Sequence, residues 1–148
     1  LYTDEDKTSQ DGSEYFQPNF KPDYNPDLLC SHNYITHFFA VRKSIVDKIN
    51  GFRSEFDGSQ DYDFIFRCIE NSNGKIKHIP KILYHWRIHG NSVAGDPASK
   101  MYAYEAGRKA IEEHLKRIGI QDAVVEHTEM WGMYHVIYAT EPDPPGPP

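Results

Sequence analysis

The sequence has little cysteine and no long apolar run. Cys30 and Cys68 are its two cysteines, they lie far apart, and neither belongs to a CxxC metal motif. Their apolar surroundings, DLLCSH and FIFRCIE, predict buried free thiols in a reducing compartment. No apolar run reaches the ~18 residues that span a membrane, and no signal peptide is recognisable. We therefore expect a water-soluble chain.

Positive charge is also scarce. The chain of 148 residues has 16 Lys and Arg against 22 Asp and Glu, which gives a formal net charge of −6. Its basic residues are spread along the sequence, which is not the basic patch of a nucleic-acid-binding protein. We expect no nucleic-acid partner. Aromatic residues are abundant at 14%, and they suit either a dense core or a surface that stacks on sugars.

Local patterns predict several strands. Prolines and turn formers between Lys7 and Pro26 predict a long surface loop. The nearly continuous apolar stretch YITHFFAVR, residues 34–42, predicts a central strand covered on both faces. Two short strands, GKIKHIP and ILYHWRI, are expected to be separated by Pro80, and AVVEHTEM and MYHVIYA predict a further pair.

Three segments predict helices from apolar spacing and end signals. RKSIVDKINGF predicts a short helix with Ser44 as its N-cap and Gly51 as its stop. QDYDFIFRCIEN predicts a second helix with acids in its first turn. The third helix is expected to start at Asp96-Pro97 and to end at Gly119. Strands and helices together predict an α/β fold, a mixed sheet with flanking helices.

Two pairs of acids are candidates for chemistry. Asp4 and Asp6 form an Asp-x-Asp motif, which can present two carboxylates to one hard cation. The alternative is that they are solvated acids in a frayed terminus. Asp61 and Asp63 begin the second predicted helix, where helix capping is the simplest explanation. A general base there would have to face a cleft within reach of an acceptor hydroxyl.

The histidines offer at most one metal ligand. His85 and His89 are four positions apart, a spacing that on a helix brings two rings to one ion. ILYHWRI favours a strand instead, where four residues span roughly 13 Å at about 3.3 Å per residue. A metal–nitrogen bond is only ~2.1 Å long. His89 enters a glycine-rich loop and is freer to approach the acids, but the sequence leaves the choice between the two open.

Five motifs in order resemble a known family. YTDEDK, FKPDYNPDLL, SHNYITHFFAVRKSIVDKINGF, FDGSQDYDFIFRCIE and HIPKILYHWRIHGNS resemble the second half of a bacterial glycosyltransferase family 2 domain, which has the GT-A fold. The resemblance covers about residues 1–95 and continues more loosely through AYEAGRKAIEEHLKR. It implies that residues 1–138 are the C-terminal, acceptor-side portion of such a domain, that 139–148 are a proline-rich linker or tail, and that the nucleotide-binding half lies upstream.

The resemblance also implies roles for individual residues. Asp4, Asp6 and His89 would hold a divalent metal, Mn²⁺ or Mg²⁺, on the diphosphate of the donor. Asp61 would be the base on the acceptor hydroxyl, although the family usually has Glu where Gln60 precedes it here. Contacts to substrate are expected from a further set of polar and aromatic residues: Glu5, Asn33, Tyr34, Gln60 and Arg87.

The implied function is metal-dependent inverting transfer from a nucleotide-diphosphate sugar to a sugar or glycan acceptor, in cell-surface polysaccharide assembly. It implies a cytoplasmic protein at the inner face of the membrane, with peripheral association of the full-length protein allowed. We expect the fragment alone to be inactive.

Two alternatives stay open. One is a non-catalytic module that binds carbohydrate or protein on the same scaffold. The other is a metal-dependent phosphoester hydrolase, which gives the QDYD helix no role.

Overall fold

The computed structural model describes residues 1–88 and 101–139. These residues form a mixed sheet with flanking helices, which confirms the predicted α/β class. The strands are β1 (Tyr2–Thr8), β2 (Tyr15–Asn19), β3 (His78–Arg87), β4 (Val124–His127) and β5 (Tyr134–Ile137). The helices are α1 (Pro26–Ser31), α2 (Lys43–Lys48), α3 (Gln60–Glu70) and α4 (Met101–Arg117), with a short 3-10 helix at Ser54–Phe56.

The main sheet has the strand order β2-β1-β3. Its central strand, β1, is antiparallel to β2 and parallel to β3. The acidic stretch Asp4–Asp6 therefore lies inside a central strand and not in a frayed terminus. This placement buries Asp4 to 2% exposure, so the carboxylate needs partners within the protein.

The segment from Lys7 to Pro26 was expected to be a long surface loop, and this prediction is wrong. It contains the end of β1, the turn before β2, β2 itself and the approach to α1. Pro18 is tolerated in β2 because β2 is an edge strand of the sheet, where a missing backbone N–H breaks no inner ladder. Lys21 follows this hairpin, and its side chain is buried.

The prediction of a central strand over residues 34–42 is also wrong. Within this stretch only Phe39 forms an isolated bridge, to Tyr2. The carbonyls of Ile35 and His37 accept hydrogen bonds from Lys21 Nζ, so a side chain satisfies groups that a ladder would otherwise pair. Tyr34 and Ile35 are buried in the core. The apolar run therefore reports burial of side chains and not strand pairing.

Pro80 does not separate two strands, as we had expected, but lies within the single strand β3. The register of β1 against β3 shifts between Thr3↔Ile79 and Asp4↔Ile82. This irregularity places Pro80 at a bulge, where the ladder does not need its missing N–H.

The first two predicted helices correspond to α2 and α3. α2 begins at Lys43 with Arg42 as its N-cap, two residues before the predicted N-cap Ser44, and it has no side-chain cap, so the role predicted for Ser44 is wrong. The helix ends close to the predicted stop, but Asn50, with φ +58°, takes the C′ position predicted for Gly51, and Gly51, with φ +68°, follows it and donates to Val46 O. α3 agrees with the predicted helix, and its first turn contains Asp61 and Asp63.

α4 packs against α3 and β4. Its predicted end is confirmed, because Gly119 follows the helix with φ +95°. The predicted start at Asp96-Pro97 lies outside the described residues. Residues 140–148 of the predicted proline-rich tail also lie outside them. The predicted pairing of the last two strands is confirmed by the antiparallel β4–β5 hairpin.

One apolar core joins these elements. Both cysteines are buried and free, as predicted, and burial raises the pKa of each thiol to about 11. Among the described residues no helix is long and apolar enough to cross a membrane. The core residues are Tyr2, Leu29, Cys30, Tyr34, Ile35, Phe56, Tyr62, Ile65, Phe66, Ala110, Ile111, Leu115, Val125 and Tyr134.

Candidate functional site

Asp61 lies in the first turn of α3 and lines a cavity of about 310 Å³. Its Oδ2 accepts a hydrogen bond of 3.1 Å from Asn33 Nδ2. The amide of Asn33 is oriented in turn, because its Oδ1 accepts from the backbone N–H of Thr36 at 3.3 Å. Two residues predicted for the site, Asp61 and Asn33, are therefore brought together at the cavity wall.

Glu5 is connected to the same group through Thr36. The Thr36 hydroxyl donates to Glu5 Oε1 at 2.9 Å, while the Thr36 backbone holds Asn33. A continuous series of hydrogen bonds thus runs from Glu5 on β1 through Thr36 and Asn33 to Asp61 on α3. The acidic strand and the predicted base lie on one polar network, although the member of the acidic motif that reaches it is Glu5.

A buried lysine fixes this network. Lys21 Nζ lies 3.6 Å from Glu5 Oε1 and donates to the carbonyls of Ile35 and His37. Burial lowers the pKa of Lys21, and the charge of Glu5 opposes that effect. For Glu5, burial by itself would raise the pKa, but His37, Lys21 and Thr36 together hold it below its ordinary value. The pair therefore anchors the loop that carries Asn33.

Asp4 and Asp6 bind different partners. Asp4 Oδ1 accepts from the backbone N–H of Lys21 at 3.0 Å and lies 2.8 Å from His78 Nε2. Asp6 Oδ1 lies 2.5 Å from His85 Nδ1, its neighbour across the parallel ladder. The two carboxylates thus each have a histidine partner and do not share one.

The structure describes two of the three predicted metal ligands, Asp4 and Asp6. Asp4 is buried and its carboxylate is paired with His78, so it would have to exchange that partner to ligate a metal. Within residues 1–88 and 101–139, no three His, Cys, Asp or Glu side chains are arranged to hold a metal ion. His89 lies outside the described residues. Metal binding by Asp4, Asp6 and His89 stays a prediction.

The remaining predicted contacts fall in three places. Gln60 accepts from the N–H of Gly58 at 2.9 Å and shapes the turn before α3. Arg87 Nη1 donates to Gln10 O at 2.7 Å, in the β1–β2 turn. Tyr34 is 5% exposed, and its hydroxyl accepts from the N–H of Asn25. The Tyr34 ring therefore packs in the core and presents no open face to a sugar.

A larger cavity of about 450 Å³ lies elsewhere, between Leu1, Ile45, Ile69 and their apolar neighbours. None of the predicted site residues within 1–88 lines it. We place the candidate site in the smaller cavity, because that one combines a carboxylate, an amide and aromatic rings, the mixture that small-molecule sites use.

The sequence analysis missed several residues of this site. His32 lines the Asp61 cavity, and burial lowers its pKa, which favours the neutral imidazole. Tyr104 also lines the cavity and stacks on Trp131, with ring centroids 5.2 Å apart. α4 brings Tyr104 to the Asp61 cavity from a distant part of the sequence, and the β4–β5 hairpin brings Trp131 against Tyr104. Hydrophobic periodicity could not have indicated these residues of the cavity, because the contacts join segments that are far apart in the sequence.

Gly107 lets the hairpin approach α4. A Cβ at this position would overlap the hydroxyl of Tyr134 on β5 and lie 3.0 Å from its Cζ. Tyr134 uses that hydroxyl to donate to Tyr104 O at 2.9 Å. Close packing at one glycine thereby fixes the hairpin beside the cavity.

We expect Gly107→Ala to destabilise the protein by about 1–3 kcal/mol through overpacking, even though alanine favours a helix by ~1 kcal/mol. Tyr134→Phe removes the overlapping oxygen, so the double variant should lose less stability than the sum of the single variants. Urea unfolding of all four proteins measures this coupling. Strict additivity would mean that the contact does not exist.

Comparison with known proteins gives two relatives. The chain is similar to O-antigen biosynthesis protein RfbC of Myxococcus xanthus. The two are 41% identical over 119 residues, which is 80% of this chain and 9% of RfbC. The chain is also 47% identical over 118 residues to uncharacterized protein y4gI of Sinorhizobium fredii, covering 79% of this chain and 13% of that protein. The chain therefore spans only a small part of the length of these two relatives. No family model matches the chain.

Proposed function

We propose that the chain is the acceptor-side part of an inverting glycosyltransferase of family 2, with a GT-A fold, acting in cell-surface polysaccharide assembly. The observation that carries the proposal is the Asp61 carboxylate, held by Asn33 in the wall of a cavity. The name of RfbC, an O-antigen biosynthesis protein, supports the polysaccharide context. A nucleotide-diphosphate sugar as donor and a glycan as acceptor complete the proposal for the longer protein.

Asp61 acts as the general base. As the acceptor hydroxyl oxygen forms its bond to the anomeric carbon of the donor, Asp61 takes the hydroxyl proton and the bond from that carbon to the diphosphate oxygen breaks. The bonding electrons leave with the nucleoside diphosphate. Asn33 donates to Oδ2 of Asp61 and so keeps the carboxylate in one orientation. The other carboxylate oxygen, Oδ1 of Asp61, stays available for the proton.

The experiment is a transfer assay on a longer protein that contains this chain. Sugar nucleotides are supplied with and without a membrane glycan extract as acceptor, and nucleoside diphosphate, glycoside and free sugar are measured separately. We expect nucleoside diphosphate release to depend on acceptor and to match glycoside formation. Free sugar without acceptor would indicate a hydrolase instead, and binding without any turnover would contradict an enzymatic function.

A non-catalytic carbohydrate-binding module is the second candidate. One observation favours it: the acids of β1 are engaged in internal pairs with His78, Lys21 and His85 and are not grouped around an open cation position. In that case the cavity beside Asp61 would bind a sugar and transfer nothing. The transfer assay separates the two functions.

A further inference from the structure

Trp131 presents a partly exposed ring next to two residues that line the Asp61 cavity, Tyr104 and Gly132. It lies in the turn between β4 and β5, next to Gly132, which lines the cavity, and it is 49% exposed. The turn is well fixed, because the Thr128 hydroxyl accepts from Met130 N and lies 3.2 Å from Met133 O. About half of a large apolar ring is therefore held in water, where that half gains nothing from packing.

The indole is supported from one side. Tyr104 stacks on it at an interplanar angle of 21°, and Tyr104 itself lines the cavity. The positive φ of Gly132, +80°, brings the turn against Tyr104, where an added Cβ would lie 3.7 Å from the ring. The two rings thus form a fixed aromatic platform beside the carboxylate.

The cavity next to the platform carries polar groups. Asn33 and Asp61 offer an amide and a carboxylate, Ser59 a hydroxyl, and the neutral imidazole of His32 can both donate and accept. Its volume of about 310 Å³ lies at the lower end of the range of about 300–1,000 Å³ for small-molecule sites. An aromatic face beside several hydroxyl-binding groups matches a pyranose ring, which has an apolar C–H face and a rim of hydroxyls.

Trp86 provides an internal contrast. It is also exposed, at 45%, but Lys7 Nζ lies over its ring at 5.5 Å. Trp86 is therefore covered by a cation of the same sheet, whereas Trp131 stacks on Tyr104 and precedes Gly132, both of which line the cavity. These are the two tryptophans of the chain, so the comparison can be measured directly.

We propose that Trp131 and Tyr104 form a sugar subsite, in which the apolar face of a pyranose ring stacks on the indole and its hydroxyls turn toward Asn33 and Asp61. As the acceptor subsite of a transferase it rests on the proposed function; as a sugar-binding site it does not. Neither ring was singled out by the motifs of the sequence.

The test is ¹⁹F NMR of the 148-residue chain labelled with 5-fluorotryptophan. Its two resonances are assigned with Trp86→Phe and Trp131→Phe. Methyl α-D-mannopyranoside, methyl α-L-rhamnopyranoside and methyl β-D-galactopyranoside are titrated, with glycerol as a control that lacks a ring. We expect a saturable shift of the Trp131 resonance with at least one glycoside, no shift of the Trp86 resonance, and no saturation with glycerol.

Affinity is then measured by ¹H–¹⁵N NMR, which also reports folding. We expect Trp131→Ala to raise the Kd about fivefold, from the typical contribution of a stacked ring, Trp131→Phe to keep most of the affinity, and Trp86→Ala to change nothing. Three results would overturn the subsite: no saturable shift with any glycoside, equal shifts of both tryptophans, or unchanged affinity in folded Trp131→Ala. The last would indicate that the ring contacts another part of a longer protein. Saturable binding together with failure of the transfer assay would remove the proposed enzyme and keep the subsite.

Discussion

Asp61→Asn should reduce sugar transfer by the longer protein at least about 100-fold, because general-base catalysis typically contributes 10²–10⁴-fold. The substituted amide cannot take the hydroxyl proton. Its oxygen can still accept from Asn33 Nδ2, which lies 3.1 Å from the present carboxylate. The fold and the binding of donor nucleotide should therefore stay near normal. Initial rates of glycoside formation and a nucleotide titration measure the two effects separately.

Asp57→Asn is the matched control. It makes the same chemical change on an exposed residue of the neighbouring turn, and it should transfer sugar at the wild-type rate. Wild-type turnover in Asp61→Asn would exclude Asp61 as the base. A parallel loss of nucleotide binding would mean that the substitution damages the fold or the donor site, and the mechanism proposed above would then be wrong.

Asp63→Ala, two residues further on, should instead cost about 3–5 kcal/mol of unfolding free energy, the typical loss when one partner of a buried ion pair is removed. The Asp63 side chain is fully buried. It lies 2.5 Å from Arg53 Nη2 and 2.8 Å from Arg67 Nε. Without it, Arg67 remains buried and loses its carboxylate. Urea unfolding measures the loss, and Asp57→Ala, with an exposed side chain, should change stability by less than about 0.5 kcal/mol.

The pH dependence of stability gives a second readout of Asp63. Burial by itself would raise the pKa of Asp63, but the hydrogen bonds from Arg53 and Arg67 outweigh it and hold the pKa below the ordinary value of 3.8. A lowered folded-state pKa contributes stability above the unfolded-state pKa, and this contribution is lost as the pH falls through the folded-state pKa. The wild-type protein should therefore lose more stability below about pH 4 than Asp63→Ala does. A loss under about 1 kcal/mol at pH 7, or identical acid profiles, would contradict the role of this ion pair.

The two aspartates illustrate how far local sequence reaches. Helical spacing and acids in the first turn correctly predict α3 and place both residues at its start. The sequence could not distinguish them, because the difference arises from what packs against each side of the helix. Arg53 and Arg67 enclose Asp63, whereas Asn33 and an open cavity face Asp61.

The acidic motif shows the opposite case, in which the residues are recognisable and their roles are not. Sequence indicates a cluster of three acids, and either solvated termini or a metal site would account for it. The structure places them in a central strand, where burial forces each carboxylate to find its own partner: His78 for Asp4, Lys21 for Glu5 and His85 for Asp6. Glu5, and not Asp4 or Asp6, is connected to the candidate base through hydrogen bonds of Thr36 and Asn33.

The sequence by itself determined the α/β class, helices α2 and α3, the end of α4 and the last hairpin, because capping, helical spacing and alternation act between residues that are close along the chain. Tertiary structure alone decided that residues 34–42 form a loop, that Pro80 lies in a continuous strand, and that Tyr104, with Trp131 stacked on it, lines the cavity of Asp61. In each case the deciding contact joins distant segments. The Lys21 ammonium donates hydrogen bonds to the carbonyls of the loop. β3 stays paired with β1 on both sides of the register shift at Pro80. The absence of a side chain at Gly107 leaves room for Tyr134, so that the hairpin reaches the cavity.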